Sequence, residues 1–434
     1  MPEILIAALS PAGHFGPLLN VAKGLVDRGD RVTVLTSADH ASKIRAVGAF
    51  AEPIPAEADL DLTRPDLDLS GRADTSGIKR INYDIVRLFL DPMPHQTRAL
   101  AALMTRTGFD AVIADAGFFG ITPFLLGDPA ARPPVLTYST TPLMISSRDT
   151  APAGLGMAPS ASWAGRLRNR ALTALSHRLL LRQSHETANA LLDRLNSRPL
   201  PMFVLDSGVL ADRYIAPTVP EFDYPRSDLP ANVRYVGAVH PSPSPGFRPP
   251  PWWSVLDGDR PVVHVTQGTV DNTDLGRLLA PTIEALREED VVVVATTGGR
   301  DIAEIGVDLP MNTYVAEYVP HDVLLPKVDV MVTNGGYGAV QRALACGVPL
   351  VVAGNTEDKP EVAARVAWAG AGINLRTGTP RPAAVRTAVR NVLDDAGYRR
   401  QARALEVAFA RRDGVAEIAA LVDEVISERR AVTR

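Results

Sequence analysis

The 434-residue sequence has almost no cysteine: Cys346 stands alone. One thiol excludes an internal disulfide framework and any zinc site built from cysteines, and it fits a reducing compartment. Long apolar runs are missing too. No stretch approaches the roughly 18 consecutive apolar residues of a membrane-spanning helix, and Val112 to Gly127 is interrupted by Asp115 and Pro123. Neither sign of charge dominates. Forty-five Lys and Arg face 49 Asp and Glu, a net of −4, without the basic excess expected of a nucleic-acid binder. The N-terminus lacks the basic and apolar regions of a signal peptide, because Met1-Pro2-Glu3 leads straight into a strand pattern. These absences predict a cytoplasmic protein with no nucleic-acid and no membrane partner. What remains is ordinary globular composition, 46% hydrophobic and 22% charged. At roughly 150 residues per domain it suggests two or three domains.

Short apolar runs alternate with helical spacing, the rhythm of βαβ units and a parallel sheet. In the first half the predicted strands are Ile4–Leu9, Arg31–Thr36, Ala111–Ala114 and Val135–Tyr138. The helices are Pro17–Arg28, Ala38–Val47, Lys79–Arg106 and Gly117–Gly127. Ala56 to Gly77, with Asp59, Asp61, Asp66, Asp68, Asp74 and Pro65, reads as a mobile surface loop. Thr140 to Ser162, rich in Pro, Gly, Ser and Ala, reads as a lid, a binding loop or a disordered stretch. His240 to Pro251 is too rich in proline for a helix or central strand and reads as a stiff linker. Beyond it, strands are expected at Pro261–Thr266, Val291–Thr296, Asn312–Val315, Val328–Thr333 and Val348–Ala353, and Tyr398 to Arg430 is helical. The predicted organisation is a first Rossmann-like domain (1–239), the linker (240–251), a second Rossmann-like domain (252–397) and a C-terminal helix (398–434) packing back on the first. Ligands of such doubly wound α/β sheets lie beyond the carboxyl ends of the strands.

The strand ends carry the chemistry. After the first strand, Ser10-Pro11-Ala12-Gly13-His14-Phe15-Gly16-Pro17 lacks the G-x-G-x-x-G of a dinucleotide fold, which argues against a dehydrogenase. His14 lies at a helix entry on the cleft and has a side chain suited to general-base work near neutral pH; the bland alternative is a hydrogen-bonded loop histidine. Asp115 ends the Ala111–Ala114 strand at the same rim. It is either the partner that fixes the imidazole tautomer or a helix cap. In the second half, Gly268-Thr269 and Asn334-Gly335-Gly336-Tyr337-Gly338-Ala339 form strand-to-helix turns. Their backbone N–H groups can approach a phosphate, or the glycines serve only tight packing. Gly354 to Pro360, with Asp358 and Lys359, offers groups for sugar hydroxyls or a capped helix start. Phe89, Phe118, Phe119 and Tyr138 either line an apolar acceptor pocket or belong to the core. The segment Trp163 to Ser197 has Arg166, Arg168, Arg170, Arg178, Arg182, Arg194 and Arg198 at or beside it, a solvated face or a surface for an anionic partner. No Asp-x-Asp or paired-His cluster suggests a metal.

Taken together, these stretches resemble the nucleotide-sugar-dependent glycosyltransferases of the GT-B fold, in particular the bacterial branch of family 1 that glycosylates natural products, antibiotics among them. The likeness covers almost the whole chain. It is strongest from Tyr314 to Leu375, through Glu317-Tyr318-Val319-Pro320-His321, Asn334-Gly335-Gly336, Gly347-Val348-Pro349, Glu357-Asp358-Lys359 and Ala363-Ala364-Arg365-Val366. The resemblance implies two doubly wound domains facing across a cleft, and no cofactor or metal. It implies a UDP- or dTDP-sugar donor, a small hydrophobic acceptor hydroxyl, inversion at the anomeric carbon, and a monomer or homodimer.

By position the resemblance makes His14 the base and Asp115 its partner. Tyr318 and Val319 would hold the nucleobase, Gly268, Thr269 and Asn334 to Ala339 the diphosphate, and Asp358 and Lys359 the sugar. The chain departs from the family where Asn334 replaces a histidine, Ala339 a hydroxyl residue and Lys359 a glutamine, and Arg342 stands near where many relatives have an acid. Lys359 or Arg342 is then a candidate for the charge that Asn334 lacks. A non-catalytic auxiliary protein of the same fold, or an epimerase or phosphorylase, is the alternative.

Overall fold

The computed structural model describes residues 1–59, 71–72, 74–240, 246–269 and 271–432. Parts of the acidic loop expected at Ala56–Gly77 and of the linker expected at His240–Pro251 therefore lie outside the described residues.

Thirteen strands are described, and they form two sheets. The first contains β1 (Glu3–Ala7), β2 (Arg31–Thr36), β3 (Phe50–Pro53), β4 (Ala111–Asp115), β5 (Val135–Tyr138), β6 (Arg213–Ala216) and β7 (Val233–Tyr235), in the order β3-β2-β1-β4-β5-β6-β7. The second contains β8 (Val262–Thr266), β9 (Val292–Thr296), β10 (Thr313–Ala316), β11 (Val330–Thr333), β12 (Leu350–Val352) and β13 (Gly372–Asn374), in the order β10-β9-β8-β11-β12-β13. Every pairing is parallel. Parallel strands need covering on both faces, so they read as continuous apolar runs. Ile4, Leu5, Ile6 and Ala7 are accordingly all buried, with Ile4 and Ile6 in one cluster and Leu5 and Ala7 in another.

In each sheet the strand order reverses once, between β1 and β4 and between β8 and β11. At such a reversal the following turns diverge and leave a crevice at the carboxyl edge.

Several boundaries differ from the sequence reading. The first helix spans Ala12–Asp27 rather than starting at Pro17, which lies inside it. The bond Pro17 cannot donate is near the helix start, and burial of Phe15, Leu18, Val21, Ala22 and Leu25 anchors the rest. The segment from Lys79 to Arg106 is a helix Gly77–Asp84, a π turn Ile85–Leu90 and a helix Met93–Arg106, because Pro92 and Pro94 lack the N–H groups a continuous helix needs. Trp163 to Ser197 likewise divides into Trp163–Leu175 and Arg182–Arg194 around a π turn.

The C-terminal segment is two helices, Ala396–Ala410 and Gly414–Val432. The second returns to the first domain, where Ile418, Val422, Val425 and Ile426 join the cluster of Ile4, Leu18 and Val21. Arg28 donates to the Ala419 carbonyl at 2.9 Å. The two helices pack closely at Gly24, where a Cβ would lie 2.0 Å from a methyl of Val415. The chain thus crosses twice between the domains. No helix among the described residues is long and apolar enough to cross a membrane.

Candidate active site

At the first strand reversal, the turns after β1, β4 and β5 converge on His14. Its Nδ1 lies 2.7 Å from Oδ2 of Asp115 and 2.9 Å from Oγ1 of Thr140. The other Asp115 oxygen accepts from the Gly117 N–H at 2.8 Å. One carboxylate, 1% exposed, therefore closes its own turn and grips the imidazole, while the helix that follows, Phe119–Ile121, has no side-chain cap, so Asp115 is not a helix cap. An ionised carboxylate only accepts, so Nδ1 carries the proton. The Thr140 oxygen can only be a second acceptor of that N–H. Nε2 has no partner among the described residues and keeps a lone pair. Burial opposes the imidazolium, but the charge and hydrogen bond of Asp115, with Asp358 and Glu357 behind them, outweigh it and raise the His14 pKa from 6.5. A Cβ on Gly13 or Gly16 would meet nothing, so the backbone on both sides of His14 borders open space.

The other half of the site is at the second reversal. Gly268 and Gly335 have left-handed φ of +74° and +90°, which side chains disfavour. A Cβ on Gly335 would lie 2.8 Å from Val352, and one on Gly354 1.8 Å from the Asn334 carbonyl, so these two serve tight packing. A Cβ on Gly268 or Gly338 would meet nothing; those two face space. Gly336 precedes the helix Tyr337–Ala345, whose N-terminus no side chain caps. Such an end is suited to an anion. Tyr318 is 61% exposed and available for stacking, whereas Val319 is buried.

The polar side chains of this half are largely engaged with one another. Asn334 donates through Nδ2 to the Gln267 carbonyl at 2.6 Å, and its Oδ1 accepts from the Gly336 N–H at 3.3 Å. Lys359 is buried, pairs with Glu357, and lies 3.3 Å from Asp271. Asp271 also holds Arg277 and Thr356. Asp358 is different. Burial pushes its carboxyl up to about 6, helped by Glu357 and opposed by Lys359 and His14. The two domains thus face each other with His14 and Asp358 in electrostatic reach.

The expected acceptor residues divide. Phe118 is wholly buried, Tyr138 nearly so, and Phe119 is buried in a separate cluster. Their rings are core: the turn after β4 carries Phe118 and Phe119 inward, and Tyr138 ends the buried strand β5. Phe89 is partly buried, and its ring centre is 6.5 Å from that of His14. Tyr337 is also buried against core residues of the second domain.

Two features escaped the sequence reading. One is Thr140. The other is a clasp across the cleft, in which the N–H groups of Gly154 and Gly156 both donate to Oε1 of Glu361 at 2.9 Å. Both glycines have positive φ, and their two N–H groups converge on one carboxylate oxygen. Oε2 of Glu361 pairs with Arg365 at 2.9 Å, and buried Arg365 reaches Asp223 at 3.0 Å and the Leu143 carbonyl at 3.0 Å. The segment Thr140–Ser162 is therefore an ordered bridge that touches the imidazole at one end and the second domain at the other. Among the described residues no group of three or more His, Cys, Asp or Glu is assembled to hold a metal ion.

Two doubly wound parallel sheets joined edge to cleft in this way are the GT-B architecture of glycosyltransferases. The fold matches the crystal structure of the kitacinnamycin glycotransferase with a TM-score of 0.75, at 21% identity and covering 98% of this chain and 99% of that one. Residues 280–425 match the family described as erythromycin biosynthesis protein CIII-like, C-terminal domain. The chain is 41% identical to 4'-demethylrebeccamycin synthase of Lentzea aerocolonigenes over 98% of its own length and 99% of that protein. It is 36% identical to UDP-glycosyltransferase 2 of Phaeomoniella chlamydospora, over 98% and 96%. The chain belongs to the natural-product branch of the family 1 glycosyltransferases, and its activity is sugar transfer.

Proposed function

We propose that the protein is an inverting transferase that moves a sugar from a nucleoside diphosphate donor to a hydroxyl of a small apolar acceptor, with His14 as the general base. The observation that carries this reading is the pairing of Nδ1 with Asp115 and Thr140, which leaves Nε2 without a hydrogen-bond partner among the described residues. Nε2 takes the acceptor proton as the oxygen forms its bond to the anomeric carbon and the bond from that carbon to the diphosphate breaks. Asp115 stabilises the resulting imidazolium. The departing nucleoside diphosphate keeps the bonding electron pair, and the proton passes from His14 to solvent. Charge on the leaving group is met by the glycine turn and the uncapped helix at Tyr337. Nothing in this scheme draws on a cofactor.

The donor is assigned to the second domain, with Tyr318 and Val319 at the base, Gly268, Thr269 and Asn334 to Gly338 around the diphosphate, and Asp358 at the sugar. Lys359, held by two carboxylates, acts by fixing Asp271 and Glu357 rather than by reaching the sugar. A UDP-sugar is preferred, in keeping with the name of the fungal relative. The acceptor enters beside Phe89 under the Thr140–Ser162 bridge. The test is a panel of UDP- and dTDP-sugars with a phenolic acceptor, following nucleotide release and product configuration by NMR. Donor-dependent transfer with inverted configuration is expected. Retained configuration, or nucleotide-sugar conversion without an acceptor, would refute the reading.

A further inference from the structure

The proposed diphosphate turn carries no charge of its own, and most cations around it already have partners. Asn334 is turned inward. Lys359 pairs with Glu357 and Asp271, Arg277 with Asp271, and Arg300 with Glu304. Arg342 is the exception. It lies on the helix Tyr337–Ala345 that opens from the glycine turn, is half-buried, and has no hydrogen bond or ion pair among the described residues. The titratable groups facing it are Tyr318 and Asp322, with His321 and His240. Asp322 lies within electrostatic range of Arg342. Burial lowers the Arg342 pKa in spite of Tyr318 and Asp322.

Helix geometry gives this cation a direction. Side chains tilt toward the N-terminus of their helix. From position 342 the guanidinium is therefore carried back along the helix toward the turn at Asn334–Gly338, on the side where Tyr318 stands. A guanidinium partly withdrawn from water, with no hydrogen-bonded acceptor and with Asp322 acting only at a distance, is incompletely compensated, and an anion brought into contact with it relieves that cost. A planar fork of N–H donors matches phosphate oxygens.

We propose that Arg342 is the phosphate anchor of the donor site, donating to a non-bridging oxygen of the nucleoside-proximal phosphate. The proposal rests on the nucleotide-sugar reading of this site. Arg342 supplies the charge that Asn334 and Ala339 do not, and it does so for donor and nucleotide product alike. Its removal therefore raises donor KM and weakens product binding, with a smaller effect on kcat. Because the contact is ionic and only partly buried, it makes nucleotide binding salt-sensitive.

The test is calorimetric titration of the full chain with UDP, dTDP and uridine, for the unaltered protein and for Arg342→Gln and Arg342→Lys. Arg342→Gln is expected to weaken diphosphate binding by roughly ten- to a hundredfold, the range for a lost hydrogen bond to a charged group, and to leave uridine binding as it was. Its diphosphate binding should also respond less to salt. Arg342→Lys keeps the charge without the fork and should lose a few-fold for diphosphates only, which covers the case of a glutamine variant that does not fold. Equal losses for UDP and uridine would place Arg342 on the nucleoside and overturn the proposal. Unchanged diphosphate affinity in either variant would overturn it as well. Failure of the unaltered protein to bind either diphosphate would instead refute the donor reading itself, a distinguishable result.

Discussion

Oδ2 of Asp115 lies 2.7 Å from Nδ1 of His14, although the two residues come from turns after different strands. β1 and β4 are neighbours at the point where the strand order reverses, so their following turns open onto the same crevice. The pair sets both the tautomer and the basicity of the imidazole.

Asp115→Asn is expected to lower the transfer rate by about 10²-fold or more, because the amide no longer stabilises the imidazolium or enforces Nδ1–H. The pH profile gives the sign. Asp115 raises the His14 pKa against burial. Without that charge burial prevails, the pKa falls, and the acidic limb of kcat/KM moves to lower pH while the plateau drops. An unmoved limb would show that another group titrates.

Thr140→Val removes the second acceptor of the Nδ1 proton. It should reduce kcat by less than about tenfold, a loss in keeping with one weak hydrogen bond, and leave donor affinity unchanged. Thr140→Ser should restore the rate. Steady-state kinetics with donor and acceptor varied separately distinguish this from a packing defect.

Much of this was legible in the sequence, for a physical reason. Buried parallel strands are apolar runs, and residues that follow them lie at one edge, so His14, Asp115 and the glycine turns could be placed without coordinates. The short strands Phe50–Pro53, Arg213–Ala216, Val233–Tyr235 and Gly372–Asn374 were missed because three or four residues carry no usable period. Thr140 looked like any loop residue, and Glu361 like the start of a helix. Their roles depend on contacts between segments far apart in the chain, as does the internal pairing of Lys359 with Asp271. Phe118 was read as a candidate pocket wall because its position after Asp115 does not reveal that the turn folds it into the core.

Glu361→Ala removes the shared acceptor of the Gly154 and Gly156 N–H groups and deprives Arg365 of one carboxylate, with Asp223 still in place. A cost of about 1–3 kcal/mol is expected from the buried donors left unpaired, seen as a lower urea midpoint. Gly156→Ala should also destabilise, since φ is +58° and its Cβ would lie 2.9 Å from the Pro360 carbonyl oxygen. No change in either variant would show that the bridge does not hold the domains together.

Stability should fall on mild acidification. Burial depresses the His264 pKa to about 4, and burial with His264 and Arg342 depresses that of His321 to about 3. Both are neutral in the folded state and are protonated in the unfolded state below its ordinary value of 6.5. Their stabilising contribution is thus complete above that value and is lost as pH falls toward the folded-state values. Each should cost about 2 kcal/mol between pH 7 and pH 5. Urea unfolding at the two pH values measures this, and His264→Leu should flatten the dependence.

The central claim is that the imidazole of His14 takes the acceptor proton, and one comparison tests it most directly: the transfer rate of His14→Ala at saturating donor, alongside its donor affinity by calorimetry. The account predicts a rate lower by about 10²–10⁴-fold with donor affinity intact. Full turnover by the variant would contradict it.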